Sequence, residues 1–212
     1  MSILEEIKEA VASYKPAKVK ELCESALDQG IDANVIVREG LIAGMSVVGV
    51  KFKNGDVFVP EVLIAAKATH AGMDSLKSVL ASSTVEPVGT VLIGTVKDDL
   101  HDIGKNLVAM MLEGAGFKVY NIGINASPEK FVKAIEDYNP DIVCLSSLIT
   151  STLHWLGETI KVIREAYPGK SLKIMVGGAP VTQELADEIG ADGYGKDAQE
   201  AVERALSILN IA

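Results

Sequence analysis

A chain of 212 residues with 48% apolar content is long enough to bury one large core or two small ones. Its formal charge of −9 carries no clustered Lys/Arg stripe, which disfavours a nucleic-acid partner, because neutralising phosphates takes concentrated positive charge. No run reaches the roughly 18 apolar residues of a membrane span. The opening MSILEEIKEA is acidic and amphipathic, unlike a secretory signal, so no membrane partner and a cytoplasmic address are expected.

From Ile3 to about Ala81 apolar residues recur at helical spacing. Punctuation at Pro16, Gly30, Asn54-Gly55 and Pro60 divides the stretch into four helices, about 2 to 14, 17 to 29, 33 to 53 and 60 to 81. Pro60 suits the first turn of the last helix, where a missing N–H costs nothing. The segment SSTVEPVG, Ser82 to Gly89, has linker composition and no periodicity, and divides a module at 1–84 from one at 89–212. Beyond it short apolar runs (VLIGT, KVYNIG, DIVCLSS, KIMVGG, and a weaker fifth around Ala191 to Gly195) alternate with helical stretches, the pattern of βαβ units in a parallel sheet. The fold class read from this order is α/β, a four-helix bundle followed by a doubly wound five-stranded parallel sheet. Cys23 and Cys144 fall in different modules without paired spacing, which suits two buried thiols better than a disulfide or a zinc site.

In open α/β sheets ligands bind outside the carboxyl ends of the strands, where strand order reverses. The first strand, Val91 to Thr95, runs into VKDDLHDIGKN, which places Asp98, Asp99, His101 and Asp102 together at a strand's carboxyl end. An imidazole with a carboxylate two residues before it can form a ligand-and-orienter pair: Asp99 accepts from Nδ1–H and leaves Nε2 for a metal. The same loop also reads as an exposed polar turn whose Asp caps the next helix, or as a carboxylate cluster for a hard cation. A nucleotide P-loop is excluded, because Gly104-Lys105 is followed by Asn106 and no glycine lies five residues before Gly104. A phospho-acceptor receiver would need an Asp ending the third strand, which here ends in Cys144-Leu145-Ser146.

Asp99-Leu100-His101-Asp102-Ile103-Gly104 resembles the D-x-H-x-x-G signature of domains that hold cobalamin base-off, with a histidine on cobalt. Ser146-Ser147-Leu148 fits the S-x-L element and Gly177-Gly178 the GG element of the same family. The resemblance implies a Rossmann-like cobalamin-binding domain in which His101 is the lower cobalt ligand and Asp99 its hydrogen-bond partner. It further implies a slot for the displaced nucleotide tail, with Ser146 and Thr150 as contacts and Gly177 and Gly178 keeping it narrow but open. Where methionine synthase relatives complete the His–Asp relay with a serine, this chain has Thr152, whose hydroxyl can make the same bond. Ala198 lies where the family's backbone meets the nucleotide base.

The stretch from Glu39 to Met73, EGLIAGMSVVGVKFKNGDVFVPEVLIAAKATHAGM, is similar to the four-helix cap of corrinoid methyltransferase proteins. The likeness points to Phe52 and Val59 over the corrin and to Glu39 near the cofactor; core packing and a solvated helix position are the plain alternatives. His70 is either a group near the upper cobalt face or an ordinary helical histidine. Met45 and Met73 read as core fillers.

The resemblance as a whole implies a corrinoid protein, non-catalytic alone, that carries a methyl group on cobalt. Its partners would be a substrate-specific methyltransferase and a second methyltransferase with tetrahydrofolate or a thiol as acceptor, and a reductive activase is a further candidate. A cobalamin-dependent regulatory or sensor module and a methionine synthase fragment share the motifs. The first would carry a DNA-binding helix-turn-helix that Met1 to Pro16 is too short and acidic to supply, and the second would carry further modules.

Overall fold

The computed structural model describes residues 1–80 and 87–211. Its contacts divide the chain into two compact units, Met1–Pro87 with Met110–Gly116, and Val88–Ala109 with Phe117–Ala212. Most of the expected linker, 82 to 89, and the boundary at 84 lie outside the described residues.

The helical unit begins with α1 (Ile3–Ala12), whose Ser2 side chain accepts from the Glu5 amide at the N-terminus. Pro16 opens α2 (Pro16–Asp28), where its fixed φ suits the first turn. The third expected helix is not uniform: a short α3 (Ala33–Val35), capped by Asp32, passes into a π-helical segment (Ile36–Ile42) and then α4 (Ala43–Lys53). The wider π turn still presents Ile36, Val37, Gly40 and Leu41 to the interior, so apolar spacing alone did not betray it. The last helix, α5, spans Val59–Leu80. Ile7, Val11, Val19, Leu22, Leu41 and Leu76 form the core of this unit. Close packing of α4 on α1 depends on Gly44, where a Cβ would lie 2.7 Å from Val11 Cβ and 2.9 Å from the Lys8 carbonyl oxygen.

The sheet unit carries β1 (Thr90–Thr95), β2 (Lys118–Asn121), β3 (Ile142–Ser146), β4 (Lys173–Gly177) and β5 (Gly193–Gly195). All pairings are parallel, in the order β2-β1-β3-β4-β5. Between the strands run α6 (Ile103–Gly114), α7 (Pro128–Tyr138), α8 (His154–Ala166) and α9 (Gln183–Glu188), and α10 (Ala198–Ile208) follows β5. The central strands are apolar on both faces because helices cover both, and Leu92, Phe131, Val143, Leu145, Leu156, Ile160 and Ile174 share one core. Strand order reverses between β1 and β3, which makes the carboxyl ends of these two strands the place for a ligand.

Cys23 and Cys144 are free and buried, and burial pushes both thiols up to about 12, with Glu24 adding to the effect at Cys23. Neither is a thiolate near neutrality, and both serve as small apolar side chains. Among the described residues no helix is long and apolar enough to cross a membrane.

Candidate functional site

The loop from β1 to α6 lies at the switch point, and its shape is set by a few side chains. Asp98 has a left-handed backbone (φ 63), stabilised where its amide donates to Asn125 Oδ1 at 2.8 Å. Its carboxylate accepts from Trp155 Nε1 at 3.1 Å, and Lys97 Nζ sits 4.3 Å from the centre of the indole. This turn reverses the chain so that Asp99 points inward and His101 outward. Thr95, the last residue of β1, donates its hydroxyl to the His101 carbonyl at 2.9 Å and holds the loop against the sheet.

Asp99 is fully buried and its two oxygens are shared out in an ordered way. Oδ1 accepts from His101 Nδ1 at 2.7 Å and from the His101 amide at 3.0 Å. Oδ2 accepts from the Leu148 amide at 2.7 Å and from the Thr152 hydroxyl at 3.2 Å. Burial alone would raise this carboxyl group's pKa; the amides of His101 and Leu148, the imidazole and the Thr152 hydroxyl outweigh it and hold the pKa below the ordinary range. Thr152 is buried in turn, and its oxygen is 2.8 Å from the hydroxyl of buried Ser147. The Thr152 hydroxyl also lies 3.0 Å from the Ile149 carbonyl, so Ser147, Thr152, Asp99 and His101 form one connected relay in which either hydroxyl can be the donor to the other.

The outer end of this relay is open. The His101 side chain is 50% exposed while its carboxylate partner is shut away, so Nδ1–H is committed and the lone pair of Nε2 is left available to a metal. Around it stand apolar side chains that a folded protein ordinarily hides: Leu100 (66% exposed), Ile103 (80%), Ile124, Leu148 and Ile149. They are neighbours of the relay by its own bonds, since Leu148 N–H binds Asp99 and Asn125 N–H binds the Asp99 carbonyl. Gly104, in the first turn of α6, has nothing within 4 Å of where a Cβ would stand. A lone imidazole in an apolar collar suits a metal that brings its own in-plane ligands within a broad flat ring, and suits a bare ion poorly. Among the described residues there is no group of three or more His, Cys, Asp or Glu arranged to hold one.

Next to the collar the backbones of three strand ends approach closely. Ser146 is half-buried at the end of β3 and pairs with Gly177 at the end of β4, which pairs with Gly195 of β5. A Cβ at Gly177 would be 3.1 Å from the Gly195 carbonyl oxygen. Gly178 has φ 132, and a Cβ there would stand 1.8 Å from the Ser147 carbonyl oxygen, so no other residue fits. Thr150 is exposed and starts a short 3-10 turn, Thr150–Thr152, that delivers Thr152 to Asp99. Ala198 is buried at the start of α10, behind the Asp197 cap, and Asp102 is exposed, accepting from Asn106 Nδ2 at 3.0 Å.

The structure thus brings Asp99, His101, Leu148 and Thr152 into one hydrogen-bonded group, with Leu100 and Ile103 flanking it. Ser147, Trp155, Asn125 and Thr95 were missed. The S-x-L spacing drew attention to Ser146, yet the middle residue of that element supplies the buried hydroxyl. In the helical unit Glu39 lies exposed on the π-helical segment, and Phe52 and Val59 are half-buried. His70 is exposed and pairs with Glu113 at 3.3 Å, a bond that raises its pKa. Met45 is buried and Met73 packs against the helical core, both as expected of fillers.

Comparison with known proteins agrees with this geometry. The B12 binding domain family models match residues 89–203 and residues 3–77. The chain is 40% identical over 208 residues to dimethylamine corrinoid protein 1 of Methanosarcina acetivorans, covering 98% of this chain and 97% of the relative. It is 39% identical over 212 residues to a corrinoid protein of Desulfitobacterium hafniense, covering 99% and 98%. It is 39% identical over 211 residues to the trimethylamine corrinoid protein of Methanosarcina barkeri, covering 99% and 97%. Among solved structures it resembles a cobalamin-binding protein from Desulfitobacterium hafniense, with a TM-score of 0.81, 27% identity and coverage of 97% and 98%. It also resembles a chain of the methanol:cobalamin methyltransferase complex from Methanosarcina barkeri, with a TM-score of 0.84, 26% identity and coverage of 99% and 80%. An outward imidazole on a buried carboxylate, set in an apolar collar at the switch point, together with likeness over nearly its whole length, shows that the chain belongs to the B12-binding corrinoid proteins and that its cofactor is a cobalamin-type corrinoid.

Proposed function

We propose that the chain holds its corrinoid base-off, with His101 Nε2 as the lower ligand, and carries a methyl group from a substrate-specific methyltransferase to a second methyltransferase whose acceptor is tetrahydrofolate or a thiol. The observation that carries this reading is the 2.7 Å bond from His101 Nδ1 to a fully buried Asp99, which commits one ring nitrogen and leaves the other free at the surface. Relatives named as corrinoid proteins of dimethylamine and trimethylamine, and likeness to a chain of a methanol:cobalamin methyltransferase complex, support a carrier over a sensor.

The bound cobalt would supply the nucleophile that accepts the methyl group and the leaving group that gives it up. The chain's residues do the rest. Asp99 fixes the imidazole tautomer with the proton on Nδ1 and aims the ring, while the Leu148 amide and the Thr152 hydroxyl keep the carboxylate ionised. Leu100, Ile103, Gly104, Leu148 and Asp102 form the floor around the ligand. Ser146, Thr150, Gly177, Gly178 and Ala198 are assigned to the slot for the nucleotide tail, which the close approach of three strand ends supports. In this reading 89–212 is the cofactor-binding domain and 1–84 a cap that shelters the cofactor from water, with Glu39, Phe52 and Val59 as its contributions. A reductive activase is a further proposed partner.

The test is to load the protein with hydroxocobalamin, remove free cofactor and compare its visible spectrum with that of His101→Ala. Wild type should retain stoichiometric corrinoid with an imidazole-ligated spectrum that the variant loses. Equal spectra and equal retention would rule out His101 as the ligand.

A further inference from the structure

Lys105 stands in the first turn of α6, four residues after His101, and is only 4% exposed. Burying an ammonium group is costly, and the burial depresses its pKa, with Asp102 acting in the opposite direction. Among the described residues no carboxylate forms an ion pair with it. Its acceptors are the side-chain oxygens of two neutral amides, Asn106 at 2.6 Å and Asn121 at 2.8 Å. A methionine of similar length would fill this space without the desolvation cost, so the charge calls for a role other than stability.

That role follows from what the two amides do next. Because Lys105 has no acceptor atom, each amide must turn its oxygen toward it, which fixes both side chains against a flip. Asn106 therefore presents Nδ2 outward, where it donates to Asp102 Oδ2 at 3.0 Å, on the residue that follows His101. Asn121 Oδ1 accepts from the Gly123 amide at 3.0 Å, and the Gly123 carbonyl accepts from the Thr95 amide, also at 3.0 Å. Thr95 in turn donates its hydroxyl to the His101 carbonyl. The two amides are also tied together, Asn121 Nδ2 donating to Asn106 Oδ1 at 3.0 Å. Two chains of hydrogen bonds thus leave one buried cation, one ending on the side chain of Asp102, next to His101, and the other on the His101 carbonyl.

We propose that Lys105 is a positioning residue for the lower ligand: its buried ammonium orients Asn106 and Asn121 so that the hydrogen-bond chains they head hold His101 in ligating position. This rests on the corrinoid reading of the site. It assigns Lys105 no contact with the cofactor.

Lys105→Met tests it on the full chain, with hydroxocobalamin as the probe. The thermal midpoint of the cofactor-free protein should stay unchanged or rise, since a buried charge is removed. The dissociation constant for hydroxocobalamin should increase roughly 10-fold, the lower end of what is lost when outer partners of a metal ligand are removed. After reduction to the Co(II) form, the nitrogen splitting in the electron paramagnetic resonance spectrum should report a smaller histidine-ligated fraction among bound molecules. A merely structural role would lower the midpoint and leave that fraction alone. Asn106→Ala should act in the same direction, and combining it with Lys105→Met should add little, because Lys105→Met already releases the chain that Asn106 heads. If Lys105→Met does not fold, Asn106→Ala alone decides by the same two readings. Wild-type affinity and wild-type splitting in the variants would overturn the proposal while the corrinoid reading stands. Failure of the wild type to bind hydroxocobalamin would sink both.

Discussion

One carboxylate carries much of the site. Asp99 accepts four hydrogen bonds in a dry environment, from two amides, one imidazole and one hydroxyl. Thr152→Val keeps the shape and removes the hydroxyl, leaving an oxygen of Asp99 short of a donor and Ser147 without its 2.8 Å partner. Corrinoid affinity should fall roughly 10-fold, while Thr152→Ser stays near wild type, both read by titration against the visible spectrum. A pH effect follows as well. The folded Asp99 carboxyl has a pKa held below its unfolded value of about 3.9, so its contribution is fully present above that value and fades as pH falls through the lower folded one. Urea melts at about pH 6 and about pH 3 should show a smaller loss of stability for Asp99→Asn than for wild type; equal losses would contradict the assignment. The pairing of Asp99 with His101 was legible from a two-residue spacing after a strand, because both ends of that bond lie in one loop. Ser147, Asn125 and Trp155 were not, since they reach the loop from the residue after β3, from the turn after β2 and from α8; Ser147 stands at the variable middle place of the S-x-L element, and nothing in the local sequence marks the other two. Lys105 was hidden by its type: a lysine in the first turn of an amphipathic helix reads as solvated.

At the level of elements, alternation of short apolar runs with helical stretches was enough to give five parallel strands and their order of appearance, because central strands covered on both faces cannot afford polar residues. The third helix was legible as an apolar face and not as a geometry. Its π-helical segment, Ile36–Ile42, differs from an α-helix by where backbone bonds close, which side-chain spacing over a few residues does not record. What the sequence does mark there is glycine at the contact of α4 with α1. Gly44→Ala would press a methyl group to 2.9 Å from a backbone oxygen that cannot yield cheaply. The helical unit should lose roughly 1–3 kcal/mol, seen as a lower thermal midpoint by circular dichroism; an unchanged midpoint would mean that α1 and α4 pack less tightly than described. His70 belongs to the same unit, and its bond to Glu113 raises its pKa, with burial opposing and the charges of Glu113 and Asp74 assisting. The protonated pair contributes below the unfolded value of about 6.5 and is lost as pH rises through the higher folded one. An NMR titration should place the His70 midpoint above that of His70 in a Glu113→Gln variant.

For the whole molecule, the cofactor is a stabilising ligand by mass action, and its two ends can be separated. A ligand at about 100 times its dissociation constant adds about 2.7 kcal/mol, which for a chain of this size raises the midpoint of the unit that binds it by roughly 5–10 °C. If the floor around His101 holds the corrin and the slot beside β3, β4 and β5 holds the nucleotide tail, hydroxocobalamin should stabilise the wild type more than cobinamide, which has the ring and no tail. Gly177→Ala probes the slot alone. Its new methyl group would stand 3.1 Å from the Gly195 carbonyl oxygen, tight enough to narrow the gap and loose enough to leave the sheet paired, unlike Gly178→Ala at 1.8 Å from the Ser147 carbonyl oxygen. The variant without cofactor should therefore melt close to wild type, its response to cobinamide should be unchanged, and the extra stabilisation by hydroxocobalamin should shrink toward the cobinamide level. Were both ligands to lose their effect equally, Gly177 would belong to the floor under the ring, and the tail would have to lie elsewhere on the sheet unit.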